Sequence, residues 1–392
     1  MKEEHLTCVR DGLTIRGVIV YPDDFSEDRK YPCLIASHGF TGNFKGMIRW
    51  CEAFAQMGYV SVTYGFCGGG CIGDDPEYSS EGATTDMTIS TEIADLETVI
   101  EHMRGLNYID PTRIILLGES QGGFVSGLTA AKHSDIISRL VMIFPAICIP
   151  DHARQGRLAG ASYSPDAVPD IIDIGRTKLG RCIHDDVVGR DPYLELSAYT
   201  GPVLILQGLE DDVVNYSYAI RAKENYAPGQ CHLQLIRSMG HGLDDGQFQS
   251  AFGSIKQFLA DREEVLTVQI LITHGEPGTD GENKTNNVYF TGYCDSPIFR
   301  GVIQSEGVDS QKQLPDGNWH LHAEYTLTGL DRNGALCSMH IVNQGHDGDF
   351  KPVISTDSAD LAWLNGLDLT SVLEFGSGGP TVRIYADKNR IP

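Results

Sequence analysis

The sequence is short of basic residues: 30 Lys and Arg stand against 53 Asp and Glu, which gives a formal net charge of −23 at pH 7. This excess of negative charge repels nucleic-acid phosphates and anionic lipid headgroups. No apolar run approaches the ~20 residues that a membrane-spanning helix needs, and the first residues have no basic and apolar signal-peptide pattern. We therefore expect a cytoplasmic protein without a nucleic-acid or membrane partner.

A disulfide framework and a nucleotide-binding loop are also missing. The ten cysteines have no paired spacing, which is typical of reduced thiols in a cytosol-like compartment. Cys67 and Cys71 are spaced like metal ligands, but no second pair of ligands accompanies them. The glycine-rich segment 67–73 lacks the Lys and Ser/Thr of a phosphate-binding loop, so it is interpreted as a loop near the active site. We expect neither a metal nor another cofactor.

The 392 residues suggest two domains. Extended runs at 6–9 and 13–20 flank Asp11-Gly12, a dipeptide typical of a tight hairpin turn. Short apolar runs without polar alternation then predict buried strands at 33–37, 60–64, 114–117, 140–144, 203–206 and 233–236. Helical periodicity lies between them, at 46–57, 87–104, 122–132, 217–225 and 248–260. Alternating strands and helices predict an α/β domain whose mostly parallel sheet has helices on both faces.

Two segments depart from this alternation. Residues 146–201 are rich in proline, glycine and charge and separate two buried strands, which predicts a cap inserted into the domain rather than a plain loop. After residue 262 the pattern becomes two-residue alternation with turn signals, as in Glu324 to Thr328 and Asp331-Arg332-Asn333-Gly334. We therefore predict a catalytic-type domain over 1–262, with a cap at about 146–201, and an all-β barrel or sandwich over 263–392.

The sharpest motif is Gly118-Glu119-Ser120-Gln121-Gly122, which directly follows one predicted strand and begins a helix. A G-x-S-x-G sequence in this setting predicts a sharp turn that exposes a nucleophilic serine, here Ser120. A serine hydroxyl needs a neighbouring base, and the base needs an orienting acid. Without that context, the five residues would be only a glycine-rich start of a helix.

The acid and the base are expected downstream, at the carboxyl ends of later strands. Asp211 follows the strand 203–206 and is the preferred acid, with Asp212 as the alternative. His241 lies between glycines after the last strand and is the only histidine that fits both order and position. His102, His133 and His232 lie on predicted helices or a strand and are interpreted as structural.

A further element follows the first buried strand, in Ser37-His38-Gly39-Phe40. Acyl transfer creates an oxyanion that backbone N–H groups stabilise, and the N–H groups of Phe40 and Gln121 are the predicted donors. His38 is an additional candidate for substrate contact. The cap should supply an acyl pocket, with Tyr163 and Tyr193 as candidate lining residues or as plain packing residues.

Residues 1–262 resemble the α/β-hydrolase superfamily and, within it, the bacterial cinnamoyl or feruloyl esterases. The residues that carry the resemblance are Ser37-His38-Gly39-Phe40-Thr41-Gly42, the elbow around Ser120, Tyr163-Ser164-Pro165-Asp166 in the cap, Pro192-Tyr193, and Gly201-Pro202-Val203. The resemblance implies an α/β-hydrolase sheet, a triad of Ser120, Asp211 and His241, and an oxyanion hole at Phe40 and Gln121. It also implies that the region of Asp151 and His152 contacts the acyl group of the substrate.

The C-terminal segment resembles small β-barrel domains of unknown function, on residues such as His274-Gly275-Glu276 and Trp363-Leu364-Asn365. A second active site at His274 and Glu276 is the less favoured interpretation; packing, substrate binding or homo-oligomer formation is favoured. The sequence thus predicts a serine carboxylic-ester hydrolase acting on small-molecule esters of aromatic or other small acids. A peptidase or thioesterase of the same fold, or an inactive ligand-binding scaffold, are the alternatives.

Overall fold

The computed structural model describes residues 1–69, 79–260, 262–281, 283–314, 317–346, 348–376, 379–387 and 390–391. By its internal contacts the chain divides into two compact units, Met1–Gln207 with Asp211–Leu233, and Gly208–Glu210 with Gln234–Pro392. The domain boundary at residue 262 stays a prediction from the change of sequence pattern.

Helices occupy the segments in which the sequence has helical periodicity, and three short ones lie in the predicted cap. In the described part of the chain the α-helices are α1 (Ile48–Gln56), α2 (Ile89–Arg104), α3 (Gln121–Lys132), α4 (Ile149–Arg154), α5 (Arg181–Val187), α6 (Pro192–Leu196), α7 (Ser217–Asn225) and α8 (Asp245–Leu259). The N-terminus of α2 is closed by a capping box in which Thr88 and Thr91 bond each other's backbone N–H groups.

The first sheet contains the predicted hairpin and the predicted buried strands. Its strands and those of the cap are β1 (Lys2–Arg10), β2 (Leu13–Tyr21), β3 (Tyr31–Ser37), β4 (Val60–Tyr64), β5 (Ile109–Glu119), β6 (Ile137–Ile143), β7 (Arg157–Leu158), β8 (Ala161–Ser162), β9 (Ile171–Asp173), β10 (Lys178–Gly180), β11 (Val203–Gly208) and β12 (Cys231–Ile236).

The eight-stranded sheet has the order β1-β2-β4-β3-β5-β6-β11-β12 among the residues described. The hairpin of β1 and β2 turns at Asp11 and Gly12, which both have positive φ, as the predicted tight turn requires. The parallel strands β3, β4, β5, β6 and β11 are almost wholly buried at their centres, because helices cover both faces. The predicted α/β-hydrolase fold class is confirmed.

The predicted cap segment, between β6 and β11, has secondary structure of its own. Residues 146–201 form α4, α5 and α6 and two small antiparallel pairs, β7 with β8 and β9 with β10. The cap is tied to α2, because Asp186 on α5 accepts hydrogen bonds from the backbone and hydroxyl of Ser90. Arg190 donates to the same Ser90 hydroxyl at 2.7 Å.

The C-terminal segment is all-β, as predicted. It consists of β13 (Arg262–Asp280), β14 (Asn283–Ser296), β15 (Phe299–Ile303), β16 (Gly307–Gln313), β17 (Trp319–Asp331), β18 (Leu336–His346), β19 (Asp349–Thr356), β20 (Thr370–Gly376) and β21 (Gly379–Asp387).

These strands form one antiparallel sheet that closes on itself, because β13 pairs with both β14 and β21. The strands β15 and β16 share one place in the ring, since each pairs with β14 and β17 along a different part of their lengths. Alternate side chains fill the interior, among them Val268, Phe290, Leu327, Met339 and Ile384. Of the two predicted architectures, barrel or sandwich, the structure has the barrel.

No helix of the described residues is long and apolar enough to cross a membrane. The described cysteines form no disulfide. Cys71 and residues 70–73 of the glycine-rich loop lie outside the described residues, so the interpretation of that loop stays a prediction.

The capping box of α2 gives a stability prediction. Thr88→Ala removes the side-chain acceptor for the Thr91 N–H, which lies at 3.0 Å, and should lower the free energy of unfolding by about 1 kcal/mol. Thr88→Ser keeps the hydroxyl and is the matched control. Urea unfolding of both variants measures the difference; equal destabilisation by Ala and Ser would show that the cap contributes nothing.

Candidate active site

Three residues with unusual backbone conformations lie at the carboxyl edge of the first sheet. Thr41 follows β3, Ser120 follows β5 and Phe144 follows β6, with φ values of 57°, 53° and 35°. A positive φ is unfavourable for a residue with a side chain, and such residues cluster where a site needs a fixed geometry. Their concentration at one edge of the sheet identifies that edge as the candidate site.

Ser120 is at the sharp turn between β5 and α3, with φ 53° and ψ −119°. The flanking glycines are required by close backbone contacts. A Cβ atom at Gly118 would lie 2.2 Å from the Gly122 carbonyl oxygen, and one at Gly122 would lie 2.3 Å from the His38 carbonyl oxygen. The G-x-S-x-G pattern therefore reflects packing in which only glycine fits at both positions.

Hydrogen bonds hold this strained turn in place. The Ser120 N–H donates to the Ile143 carbonyl at the end of β6, at 2.9 Å. Its carbonyl oxygen accepts from the N–H groups of Ala146 and Phe124, at 2.9 and 3.1 Å. The Ser120 side chain remains half-buried. The nucleophile candidate is thus fixed from both sides and still accessible.

The turn after β3 lies against Ser120. A Cβ atom at Gly39 would come within 3.1 Å of the Ser120 Cβ, so the peptide that leads to Phe40 lies beside the serine. The Gly39 carbonyl accepts from the Gly42 N–H at 2.9 Å, which closes the turn. The structure therefore brings the predicted oxyanion segment, Gly39 to Phe40, to the predicted nucleophile.

His38 is engaged by the backbone through both ring nitrogens. The Phe66 N–H donates to its Nε2 at 3.2 Å, which places the proton on Nδ1, and Nδ1 lies 2.7 Å from the Gly39 carbonyl. The ring is 3% exposed and packs edge-on against Phe66. This geometry favours a structural role, joining the loops after β3 and β4, over the predicted substrate contact.

The two variable residues of the elbow are each held by a buried side chain from a helix. The Trp50 Nε1 on α1 donates to the Glu119 Oε1 at 2.7 Å. The Gln121 Nε2 donates to both carboxyl oxygens of Glu92 on α2, each at 2.9 Å. Trp50 is wholly buried and Glu92 is 1% exposed. Neither contact is evident from sequence spacing.

Glu92 and Asp95 place two acidic groups in the interior beside the site. Burial raises the pKa of Glu92 to about 8, against the opposing effect of the Gln121 hydrogen bond. Burial also raises the pKa of Asp95, although the Arg10 Nε donates to its Oδ1 at 2.5 Å and the Cys67 N–H to its Oδ2 at 2.8 Å. Glu92 is instead held by the uncharged side chain of Gln121.

The candidate acids Asp211 and Asp212 have different environments. Asp211 is buried; its Oδ1 accepts from the N–H groups of Val213 and Val214 at 2.9 and 2.8 Å, and its Oδ2 accepts from Gln207 at 3.0 Å. Asp212 is exposed. A buried carboxylate held by three donors has the fixed orientation that a triad acid needs.

His241 lies in the second unit, in the loop after β12, and is half-buried. Two residues earlier, the Met239 carbonyl accepts from the Glu210 N–H at 3.1 Å. Gly242 follows it with φ 156°. The pairing of His241 with Ser120 and Asp211 stays a prediction.

The predicted acyl-pocket residues fall into two groups. Asp151 and His152 lie on α4 near Tyr218, with the His152 and Tyr218 ring centroids 6.4 Å apart. Burial and, as a smaller effect, the neighbouring Asp151 carboxylate raise the pKa of Tyr218 to about 12. Burial lowers the pKa of His152. Tyr163 instead bonds the His184 Nδ1 at 2.8 Å, within the cap.

Tyr193 on α6 lies under a cation from the sheet domain. The Arg221 guanidinium carbon is 4.0 Å from the centroid of its ring. Tyr218 and Arg221 on α7 were missed by the sequence reasoning. Their spacing of three residues on one predicted helix was the available signal, because it places both on one face.

Groups of three or more potential metal ligands are absent from the residues that the structure describes. The buried carboxyl groups at the site are occupied by protein donors. The geometry thus offers a serine on a strained turn, a buried carboxylate and two converging backbone segments.

Comparison with known proteins finds a family model that matches part of the chain. The family described as "Serine aminopeptidase, S33" matches residues 29–191, which include Ser120. A solved structure of Est1E from Butyrivibrio proteoclasticus with bound ferulic acid is similar at a TM-score of 0.59 and 26% identity. It covers 65% of this chain and 97% of its own.

Curated proteins also match parts of the chain. The acylamino-acid-releasing enzyme of Sus scrofa is 21% identical over 219 residues, covering 54% of this chain and 28% of its own. Prolyl endopeptidase FAP of Bos taurus is 22% identical over 269 residues, covering 66% of this chain and 33% of its own. The chain spans only about a third of the length of the curated relatives it matches.

The buried Glu92 makes the stability of the fold depend on pH. Between pH 4.5, its ordinary pKa, and about 8, the folded protein retains a proton that the unfolded chain releases. The Glu92 contribution to stability should therefore fall as pH rises through this window. Glu92→Gln cannot ionise at this position. Its urea midpoint should therefore rise relative to that of the wild type as the pH increases from 5 to 9.

Glu101→Gln is the matched control, because Glu101 lies on the same helix and is exposed. The difference in urea midpoint between Glu101→Gln and the wild type should be nearly independent of pH. A Glu92→Gln difference that does not change between pH 5 and 9 would contradict the raised pKa of Glu92.

Proposed function

We propose that this α/β-hydrolase of the serine hydrolase family cleaves carboxylic esters of small acids, through Ser120, His241 and Asp211. The single observation that carries the proposal is the strained Ser120 turn, packed against the Gly39 turn. Such a turn costs free energy in the folded state, and it presents a hydroxyl next to backbone N–H groups. That is the arrangement that acyl transfer needs.

In the proposed reaction the Ser120 Oγ attacks the ester carbonyl carbon, and its proton passes to His241. The resulting oxyanion is bound by the N–H groups of Phe40 and Gln121. The carbon–oxygen bond to the alcohol then breaks, and His241 gives its proton to the departing alcohol. Water attacks the acyl-Ser120 in the same way, releases the acid and restores the hydroxyl.

The triad acid is proposed to be Asp211. Its three donors, Gln207 and the N–H groups of Val213 and Val214, fix its carboxylate. Asp212, exposed to solvent, has no comparable support.

The acyl group is proposed to be an aromatic acid. Support comes from the 26% identical Est1E, whose structure holds ferulic acid. In this chain, hydrogen-bonding and aromatic groups lie on α4, α6 and α7. They are Asp151, His152, Tyr218 and the Tyr193–Arg221 pair. A ring stacked on an aromatic face and a phenolic hydroxyl bonded to a polar side chain would suit this set.

Three variants test the proposed triad. Ser120→Ala should lower kcat for a p-nitrophenyl or methyl hydroxycinnamate ester by about 10⁴-fold or more, and Asp211→Asn by about 10³- to 10⁴-fold. Asp212→Asn, the matched neighbour, should stay within about twofold of wild type. Steady-state kinetics with circular dichroism as the folding control measures this. Loss of activity in Asp212→Asn rather than Asp211→Asn would reverse the assignment, and an inactive wild type would favour a ligand-binding scaffold.

Peptide hydrolysis is the second candidate function. The observation that favours it is the match to the serine aminopeptidase family and to an acylamino-acid-releasing enzyme. All catalytic residues would be shared, because only the leaving group differs between an alcohol, a thiol and an amine.

Matched substrates separate these functions. An ester, a thioester and an anilide of one hydroxycinnamic acid, and an N-acetylated amino-acid anilide, would be compared by kcat/KM. We expect the hydroxycinnamate ester to exceed both anilides by more than about 100-fold. A higher kcat/KM for the N-acetylated anilide would establish the peptidase instead.

The role of the C-terminal barrel and the cytoplasmic location stay predictions. Self-association through the barrel is proposed because some apolar side chains of its strands are exposed, among them Leu271, Tyr293 and Leu336. In the barrel His274 stacks on Tyr289, whose hydroxyl donates to Glu276 at 3.1 Å, and this exposed group offers no enclosed second site.

A further inference from the structure

The amide proposed to bind the oxyanion belongs to a residue whose side chain is held independently. Gln121 is 5% exposed, and its Nε2 donates to both oxygens of Glu92 at 2.9 Å. Gln121 is the first residue of α3 and directly follows the strained Ser120. The peptide N–H and the side chain share one Cα, so a contact that fixes the side chain restricts the rotation of that peptide.

We propose that Glu92 is a positioning residue of the oxyanion hole, which fixes the Gln121 peptide N–H through the Gln121 side chain. The role rests on the proposed function, since it requires Ser120 to form an oxyanion next to that N–H. Glu92 itself does not contact the reacting atoms in this account. It is supplied by α2, whose N-terminus is set by the Thr88 capping box four residues earlier.

The charge of Glu92 gives the role a pH dependence. Because burial raises its pKa to about 8, the carboxyl group is largely neutral at pH 7. An ionised carboxylate held against Gln121 would repel the developing oxyanion, whereas the neutral acid does not. The rate of acyl transfer should therefore fall as Glu92 ionises, above a pH of about 8.

Other charged groups around Glu92 favour the neutral form. Asp95 lies one turn further along α2 and Asp186 lies on α5 of the cap, and both raise the pKa of Glu92. Each has its own cation, Arg10 at 2.5 Å from Asp95 and Arg190 at 3.3 Å from Asp186. On α3 the facing group is the uncharged Gln121, and from the loop after β4 the facing residue is Gly69.

The conservative and the disruptive variant should behave differently. Glu92→Gln keeps an acceptor for the Gln121 amide without a charge; it should retain kcat at pH 7 within about threefold and lose the alkaline decline in kcat/KM. Glu92→Ala leaves the Gln121 amide without its acceptor and should lower kcat about tenfold, with KM changed less than about twofold. Glu101→Gln, exposed on the same helix, should match wild type in both respects.

A double-mutant cycle isolates the pair. If Glu92 acts through Gln121, Gln121→Ala should lower kcat about as much as Glu92→Ala, and the double variant should lose little more. Circular dichroism and urea midpoints of every variant exclude unfolding as the cause, and the rescue by Glu92→Gln distinguishes positioning from a general loss of packing.

Covalent reaction of Ser120 with a fluorophosphonate, mapped by peptide mass spectrometry, separates this role from the proposed function. The role of Glu92 alone is overturned if the wild type reacts at Ser120 and either of two results is found. One is an unchanged kcat in Glu92→Ala; the other is an alkaline decline in kcat/KM that Glu92→Gln keeps. A wild type that does not react at Ser120 overturns the proposed function and this role together.

Discussion

The candidate site depends on the close approach of two backbone segments, the elbow after β5 and the end of β3. Gly122 lies so near the carbonyl groups of Ser37 and His38 that a Cβ atom would come within 2.3 to 2.4 Å of their oxygens. This contact allows α3 to start directly at the sheet edge, where Ser120 has its positive φ. Bonds from the end of β6 then hold the turn, so the strain is balanced by packing rather than relieved.

Around this contact the sheet edge is organised by buried polar groups. Glu119 is held by Trp50 on α1, Gln121 by Glu92 on α2, and the loop after β4 by His38 and Asp95. Each contact joins a loop of the site to an element that the sheet or a covering helix already fixes. A buried hydrogen bond of this kind is costly to break, because it leaves an unsatisfied polar group. The loops of the site are therefore held by side chains that take no part in the proposed chemistry.

Much of this could be predicted from the sequence, because the relevant signals are local. The hairpin at Asp11-Gly12, the buried strands, the elbow and the all-β segment after residue 262 all follow from patterns within a few residues. The Glu92–Gln121 and Trp50–Glu119 contacts could not, because they join residues 29 and 69 positions apart. Glu92 in particular lies in the helix predicted at 87–104, and its periodicity gives no indication of a contact with the elbow. The burial of His38 and the shared place of β15 and β16 in the barrel likewise depend on tertiary packing.

In the proposed reaction the Ser120 hydroxyl becomes covalently acylated during turnover. The most direct measurement is mass spectrometry of the enzyme quenched with acid in the first turnovers of a p-nitrophenyl hydroxycinnamate ester. We expect a burst of nitrophenol and one acyl group on the peptide that contains Ser120. An acyl group on another residue, or turnover without any acylated peptide, would contradict it.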